Sequence, residues 1–212
     1  MDSKEFDRLS YALGLSMGNN FRSSGIEKIN IQDFADGVAA VYDGATTKMS
    51  YDDAKAEIQK FFTELEAKQQ EAAKAMGELN EKAGQQFLAE NGKRVEVKTT
   101  TSGLQYEIIK EGDGPQPTAA DQVVVHYTGK LIDGTVFDSS ENRGVPATFG
   151  VTQVIPGWVE ALQLMKVGST WRLFIPSALA YGPQGAGGII GPNQTLIFDV
   201  SLLEIVGKTD KK

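Results

Sequence analysis

A single histidine, His126, and no cysteine leave this chain few groups for nucleophilic or metal chemistry. No pair of carboxylates stands at a recognisable ligand spacing, so metal catalysis is not expected. His126 lies beside Tyr127 in an alternating run, and no GxSxG elbow offers it a serine. It reads as a packed, hydrogen-bonded strand residue. The run GPQGAGGIIGP at 182–192 lacks the GK[ST] of a P-loop and the GxGxxG of a dinucleotide fold, so it reads as a mobile loop and not as a phosphate cradle. What remains is a surplus of aromatic rings, Tyr127, Phe137, Phe149, Trp158, Tyr181 and Phe198, with one carboxylate, Asp138, directly after Phe137. Any one ring could be ordinary core. Trp158 just beyond Pro156-Gly157, and Tyr181 opening a Gly-rich loop, are less ordinary core positions. Phe137 beside Asp138, where a strand ends or bulges, suggests an apolar concavity with one acid at its lip.

The stretch VVVHYTGKLIDGTVFDSS, 123–140, must position that acid. Val123, Val125 and Tyr127 alternate with Gln122, Val124 and His126 at the period of two of a half-buried strand, and Asp133-Gly134 signals a hairpin. Phe137 and Asp138 are consecutive, so simple alternation would send them to opposite faces unless the strand ends or bulges there. Strands are predicted at 104–111, 122–131, 135–137, 171–175 and 196–205, with one short helix at 157–164 after Pro156. Many strands with a single helix make an antiparallel sheet curled against that helix the economical architecture.

Residues 1–93 follow a different pattern. Phe6, Leu9, Leu13, Met17 and Phe21 mark one face of a first helix, ended by Ser23-Ser24-Gly25. Asn30 is a predicted N-cap for a second, carrying Ile31, Phe34, Val38 and Val41 and closed by Gly44. Ser50 and Asp53 form a weak capping box that opens a third helix, free of Pro until Asn91-Gly92 and so about 40 residues or about 60 Å long. Its apolar stripe thins towards the C-terminal end, where Ala dominates, which predicts loose burial there. The first two helices bury too little to stand as a lone unit, so a homodimer through residues 1–45 is expected. The domains are expected at 1–93 and 94–212, with KTDKK as a solvated tail.

A net charge of -7 and a pI near 4.9 argue against nucleic-acid binding, which needs clustered Lys and Arg. No stretch approaches the ~20 apolar residues that span a bilayer, and no membrane partner is expected. MDSKEFDRLS lacks a basic start followed by an apolar run, so no signal peptide is read, and absent cysteines suit a reducing compartment. A cytoplasmic protein is expected, with the periplasm as the alternative if a leading segment has been removed.

The 123–140 block, Arg143, QVIPGW at 153–158, IPSALAYG at 175–182 and TLIFDVSLLEI at 195–205 come in the order in which similar motifs run through the FKBP-type peptidyl-prolyl isomerases, and over its last 110 or so residues the chain resembles that family. The helical part resembles the dimerisation region of its macrophage infectivity potentiator-like branch. The resemblance implies an α+β protein: a helical dimerisation region, one long connecting helix, then a curled antiparallel sheet on a short helix. It makes Trp158 the pocket floor, Tyr127, Phe137, Val154, Ile155, Ile190 and Phe198 the walls, and Asp138 and Tyr181 the polar contacts, with Phe149 beside them, the Ile155 N–H as a donor and Arg143 paired to Asp138. Of these, Asp138, Tyr181, Phe137 and Trp158 would be catalytic and the others would bind substrate. It implies no cofactor, proline-containing unfolded or partly folded polypeptides as partners, and a site able to take a macrolide inhibitor. It breaks at Ala147, where better-known members carry an aromatic, and at Ala186, often His, so a wider pocket is expected. An isomerase with chaperone activity of the dimer is the leading expectation. The alternative is a peptide-holding chaperone or interaction protein whose turnover is incidental.

Overall fold

A computed structural model describes residues 6–207, so the predicted tail at 208–212 lies outside the described residues. The chain forms two compact units, 1–69 and 70–212.

In the first unit, α1 (Arg8–Ser23) begins where the Asp7 carboxylate accepts the Ser10 N–H at 2.7 Å, and stops before Gly25, whose φ of +83° suits glycine. α2 (Ile31–Tyr42) is capped by Asn30, which accepts from the N–H groups of Gln32 and Asp33. α3 (Tyr51–Asn91) opens with the predicted box: the Asp53 N–H donates to Ser50 Oγ at 3.1 Å and the Ser50 hydroxyl to the Asp53 carboxylate at 2.7 Å. Phe21 meets Phe34 edge to face at 5.4 Å. No residue of α1 or α2 is buried, and Leu9 and Leu13 stay 70% and 56% exposed. This unit holds apolar stripes without a closed core.

The second unit is a seven-stranded antiparallel sheet of β1 (Val97–Thr99), β2 (Gln105–Lys110), β3 (Gln122–Leu131), β4 (Val136–Ser139), β5 (Ala147–Gly150), β6 (Thr170–Ile175) and β7 (Leu196–Ile205). The order is β1-β2-β6-β7-β3-β4, with β5 also on β3. β3 pairs with β7 along its length on one side. On the other it pairs with β5 through its first half and with β4 through its second, and a register shift between Val124 and Val125 bends it. The sheet curls around α5 (Pro156–Leu164), which buries Gly157, Trp158, Ala161 and Leu162. A Cβ on Gly157 would stand 2.6 Å from Ile175 Cγ2, so glycine lets the helix lie flush on the sheet.

The five predicted strands are present, β4 reaching Ser139 instead of stopping at Phe137. β1, β5 and the one-turn helix α4 (Ser140–Arg143) escape periodicity because three or four residues carry too little alternation, and β1 and β5 are ordered by pairing with β2 and β3. The last turns of α3 depart most from expectation. The predicted stripe is indeed thinly buried, Met76 and Leu79 being 52% and 65% exposed, but Gly77, Gly84 and Asn91 are buried, Gln105 Nε2 donates to the Leu88 carbonyl at 2.9 Å, and Asn91 Nδ2 donates to Gln105 Oε1 at 2.9 Å. Glycines let the backbones approach where a stripe of large residues was sought. Through these contacts the last turns of α3 group with the sheet in the second unit, which begins at residue 70.

Candidate active site

On the concave face a cavity of about 610 Å³ opens among β3, β4, α5 and the 182–192 loop, within the ~300–1,000 Å³ usual for small-ligand sites. Trp158, 3% exposed, forms its floor. Three rings stand edge-on to the indole: Tyr127 at 5.4 Å, Phe198 at 5.3 Å and Phe149 at 5.9 Å between centroids. Phe137 closes one side against Phe198 at 5.5 Å. Gly129 makes that contact attainable, because a Cβ there would lie 2.6 Å from the Phe137 ring and 2.7 Å from Phe198. Val154 and Ile155 enter from the start of α5, where Ile155 is the N-cap and its N–H precedes the helical ladder. The Trp158 indole Nε1 is buried without a partner among the described residues.

The rim carries the charge. Gly129 faces Asp138 and Lys130 faces Val136, so Phe137 occupies a bulge, and both Phe137 and Asp138 reach the pocket against simple alternation. The Asp138 carboxylate accepts from the Tyr127 hydroxyl and from Arg143 Nη1. Arg143 Nη2 donates to Tyr127 Oη at 3.0 Å, and the guanidinium carbon lies 5.7 Å from the Tyr127 ring centroid. α4 aims Arg143: Ser139 Oγ accepts the Asn142 N–H at its start, and Gly144 closes it at φ +73°. Behind the rim, Ser140 Oγ accepts the Tyr127 N–H at 2.8 Å and meets His126 Nδ1 at 3.0 Å, the hydrogen-bonded strand role read for His126. Burial pushes the Asp138 carboxyl up, but the hydrogen bonds from Tyr127 and Arg143 and the guanidinium charge outweigh it and hold the pKa below the usual carboxylate value. Burial first, then the bond to Asp138, raises the Tyr127 phenol. The rim is therefore ionised at Asp138 and neutral at Tyr127 near neutral pH.

Tyr181, 39% exposed, and Ile190, 8% exposed, line the opposite side. Ten of the eleven predicted site residues line the cavity itself, and Arg143 is held to it through Asp138 and Tyr127. Gln153, Ala186, Gly187 and Ile189 complete the lining. Gln153 opens the QVIPGW motif, whose resemblance to the family implies no role for it. Gly187 and Ile189 had no signal, because only the bridge between Ala186 and Ile190, exchanging backbone hydrogen bonds at 2.8 and 3.0 Å, folds that segment towards the pocket. Of the two departures, Ala186 lines the cavity, whereas Ala147 pairs with Val125 and packs against the core. Among the described residues no group of three or more His, Cys, Asp or Glu could hold a metal ion. The lining, aromatic and aliphatic with Asp138 at its rim, can enclose, desolvate and orient a bound group.

Residues 114–203 match the family model described as FKBP-type peptidyl-prolyl cis-trans isomerase. Residues 6–108 match the one described as the domain amino terminal to FKBP-type peptidyl-prolyl isomerase. A probable FKBP-type peptidyl-prolyl cis-trans isomerase FkpA of Neisseria meningitidis is 49% identical over 199 residues, 92% of this chain and 73% of that protein. The outer membrane protein MIP of Legionella longbeachae is 47% identical over 94% of this chain and 85% of its own. The crystal structure of FkpA from Escherichia coli superposes with a TM-score of 0.74 at 34% identity, covering 97% of this chain and 98% of that one. Since both parts are matched in order, and relatives 47–49% identical are matched over more than nine-tenths of this chain, this chain belongs to the FKBP-type peptidyl-prolyl cis-trans isomerases.

Proposed function

We propose that this pocket accelerates rotation about X–Pro bonds in unfolded and partly folded polypeptides, with the prolyl ring on Trp158. The observation that carries this reading is a deep aromatic cavity whose charged groups are confined to one rim. X–Pro rotation is slow because amide resonance must be broken, a barrier of ~18–20 kcal/mol. The planar amide is more charge-separated than the twisted one, so a dry pocket destabilises the ground state more than the transition state, provided the substrate fills it. Phe137, Tyr127, Phe149, Phe198, Val154 and Ile190 exclude the water. The Tyr181 hydroxyl and the Ile155 N–H hold the carbonyls flanking the proline, and Asp138, set by Arg143 and Tyr127, orients the twisting amide. No covalent step is needed. The same cavity is suited to a macrolide inhibitor.

The exposed stripes of α1 and α2 support a homodimer through residues 1–45 in which Leu9, Leu13, Met17, Phe34 and Val38 meet their copies. Two pockets on one assembly raise the effective concentration of prolines in a chain that both engage, a gain closed to a tetrapeptide. This supports chaperone activity added to isomerisation over mere peptide holding. The test is a protease-coupled isomerisation assay on a panel of X–Pro tetrapeptides, alongside refolding of a protein limited by proline isomerisation. Catalysis of both is expected, with dimer-breaking Val38→Asp lowering only the second. Binding of the tetrapeptides without turnover would overturn the enzymatic reading.

A further inference from the structure

We propose that the last turns of α3 are a positioning element for the active site, setting the pocket wall at residues 186–190 without touching substrate; this rests on the cavity being the proline site. Five of the eleven residues at 182–192 are glycine, and such a segment has high conformational freedom unless contacts restrict it. Within the second unit α3 grips its return arm at three points. Asn80 Nδ2 donates to the Pro192 carbonyl at 2.8 Å. Asn193 Nδ2 donates to the Gly77 carbonyl at 3.4 Å. Gly84 lies flush on buried Thr195: a Cβ there would overlap the threonine hydroxyl and stand 3.0 Å from its Cβ.

The grip passes to the pocket through short connections. Pro192 is two residues from Ile190, which the paired hydrogen bonds with Ala186 fold over the cavity. Asn193 has a φ of +54°, the only non-glycine residue with positive φ among the described residues, and from there its N–H donates to the Gly182 carbonyl at 2.8 Å, next to Tyr181. A residue rarely holds this conformation unless its surroundings impose it. Here they are the Gly77 carbonyl on one side and Gly182 on the other. Both ends of the wall are thus referred to one helix, which also carries the chain into the helical unit.

The experiment uses the full-length protein with Gly84→Ala, Gly84→Ala/Thr195→Ala and Asn80→Ala. Alanine is the better helix former, so the first substitution acts on the contact and not by weakening the helix. Two measurements are made: amide hydrogen exchange at Ala186 and Ile190, and the split between KM and kcat on an X–Pro tetrapeptide. In Gly84→Ala the two amides should exchange about tenfold faster while those of Val123 and Leu202 stay unchanged, and KM should rise about threefold at constant kcat. Removing the threonine hydroxyl should return both quantities towards wild type, and Asn80→Ala should move them in the same direction by less. Unchanged exchange at Ala186 and Ile190 in folded Gly84→Ala and Asn80→Ala overturns the proposal, as does faster exchange with unaltered KM. If Gly84→Ala fails to fold, Asn80→Ala, which removes one hydrogen bond, decides. A wild-type protein without turnover would refute the proline-site reading and with it the claim on KM, and the exchange measurement would still show whether α3 holds the wall.

Discussion

Replacing Asp138 with alanine removes the one carboxylate among the described residues that line the pocket and leaves two donors without their acceptor. Arg143 is half exposed and rehydrates. The Tyr127 hydroxyl, on a residue only 7% exposed, keeps Arg143 Nη2 at 3.0 Å and loses its bond to Asp138. A hydrogen bond to a charged group contributes about 1.5–3 kcal/mol, and solvent access to Asp138 brings this to about 1 kcal/mol. For a unit of this size that lowers the thermal midpoint by about 2–4 °C, so the variant stays folded. If the same interaction holds Asp138 against the twisting amide, about 1 kcal/mol of transition-state stabilisation is lost with it, about fivefold in kcat/KM. The assay is protease-coupled isomerisation with the midpoint recorded in parallel. Asp138→Ala, Tyr127→Phe and their combination form a cycle in which coupled losses identify the shared hydrogen bond. Wild-type kcat/KM in a folded Asp138→Ala protein would refute the reasoning, and additive losses would show that the two residues act independently.

Trp158→Leu should lower stability by about 2–4 kcal/mol, since three edge-on ring contacts and buried volume go at once, and should raise KM about fivefold or more; denaturant unfolding and saturation kinetics check the two. Turnover should be flat between about pH 5 and 9, because Asp138 titrates below and Tyr127 above their ordinary values. The sign follows from the depressed carboxyl: its contribution is complete above the unfolded pKa of ~3.9 and is lost as pH falls through the lower folded value, so stability and activity should decline together in acid; an activity midpoint near pH 6 to 7 would contradict this. Sedimentation at micromolar concentration should show a dimer that Val38→Asp converts to a monomer with undiminished tetrapeptide turnover, whereas a monomeric wild-type chain would remove the basis for the dimer.

Much of this protein was legible in the order of its residues. Strict alternation located β3, Asp133-Gly134 located the hairpin, and Asn30 and Ser50 located helix starts, because each depends on contacts between near neighbours. The aromatic surplus around a lone acid was likewise visible as composition gathered into motifs. Tertiary structure decided what near neighbours cannot. Whether Phe137 and Asp138 share a face depended on a bulge whose register is set by Gly129 and Lys130 across the ladder. That Tyr127 is both wall and hydroxyl donor follows from where α4 delivers Arg143. The Gly-rich loop became a pocket wall through pairing of Ala186 with Ile190 and support from Asn80. The last turns of α3 joined the sheet through Gly77 and Gly84, residues that a search for large apolar side chains passes over. Local periodicity records which face a side chain prefers, whereas close backbone approach depends on what is missing at a glycine and on what stands opposite it, and only the folded chain brings the two together.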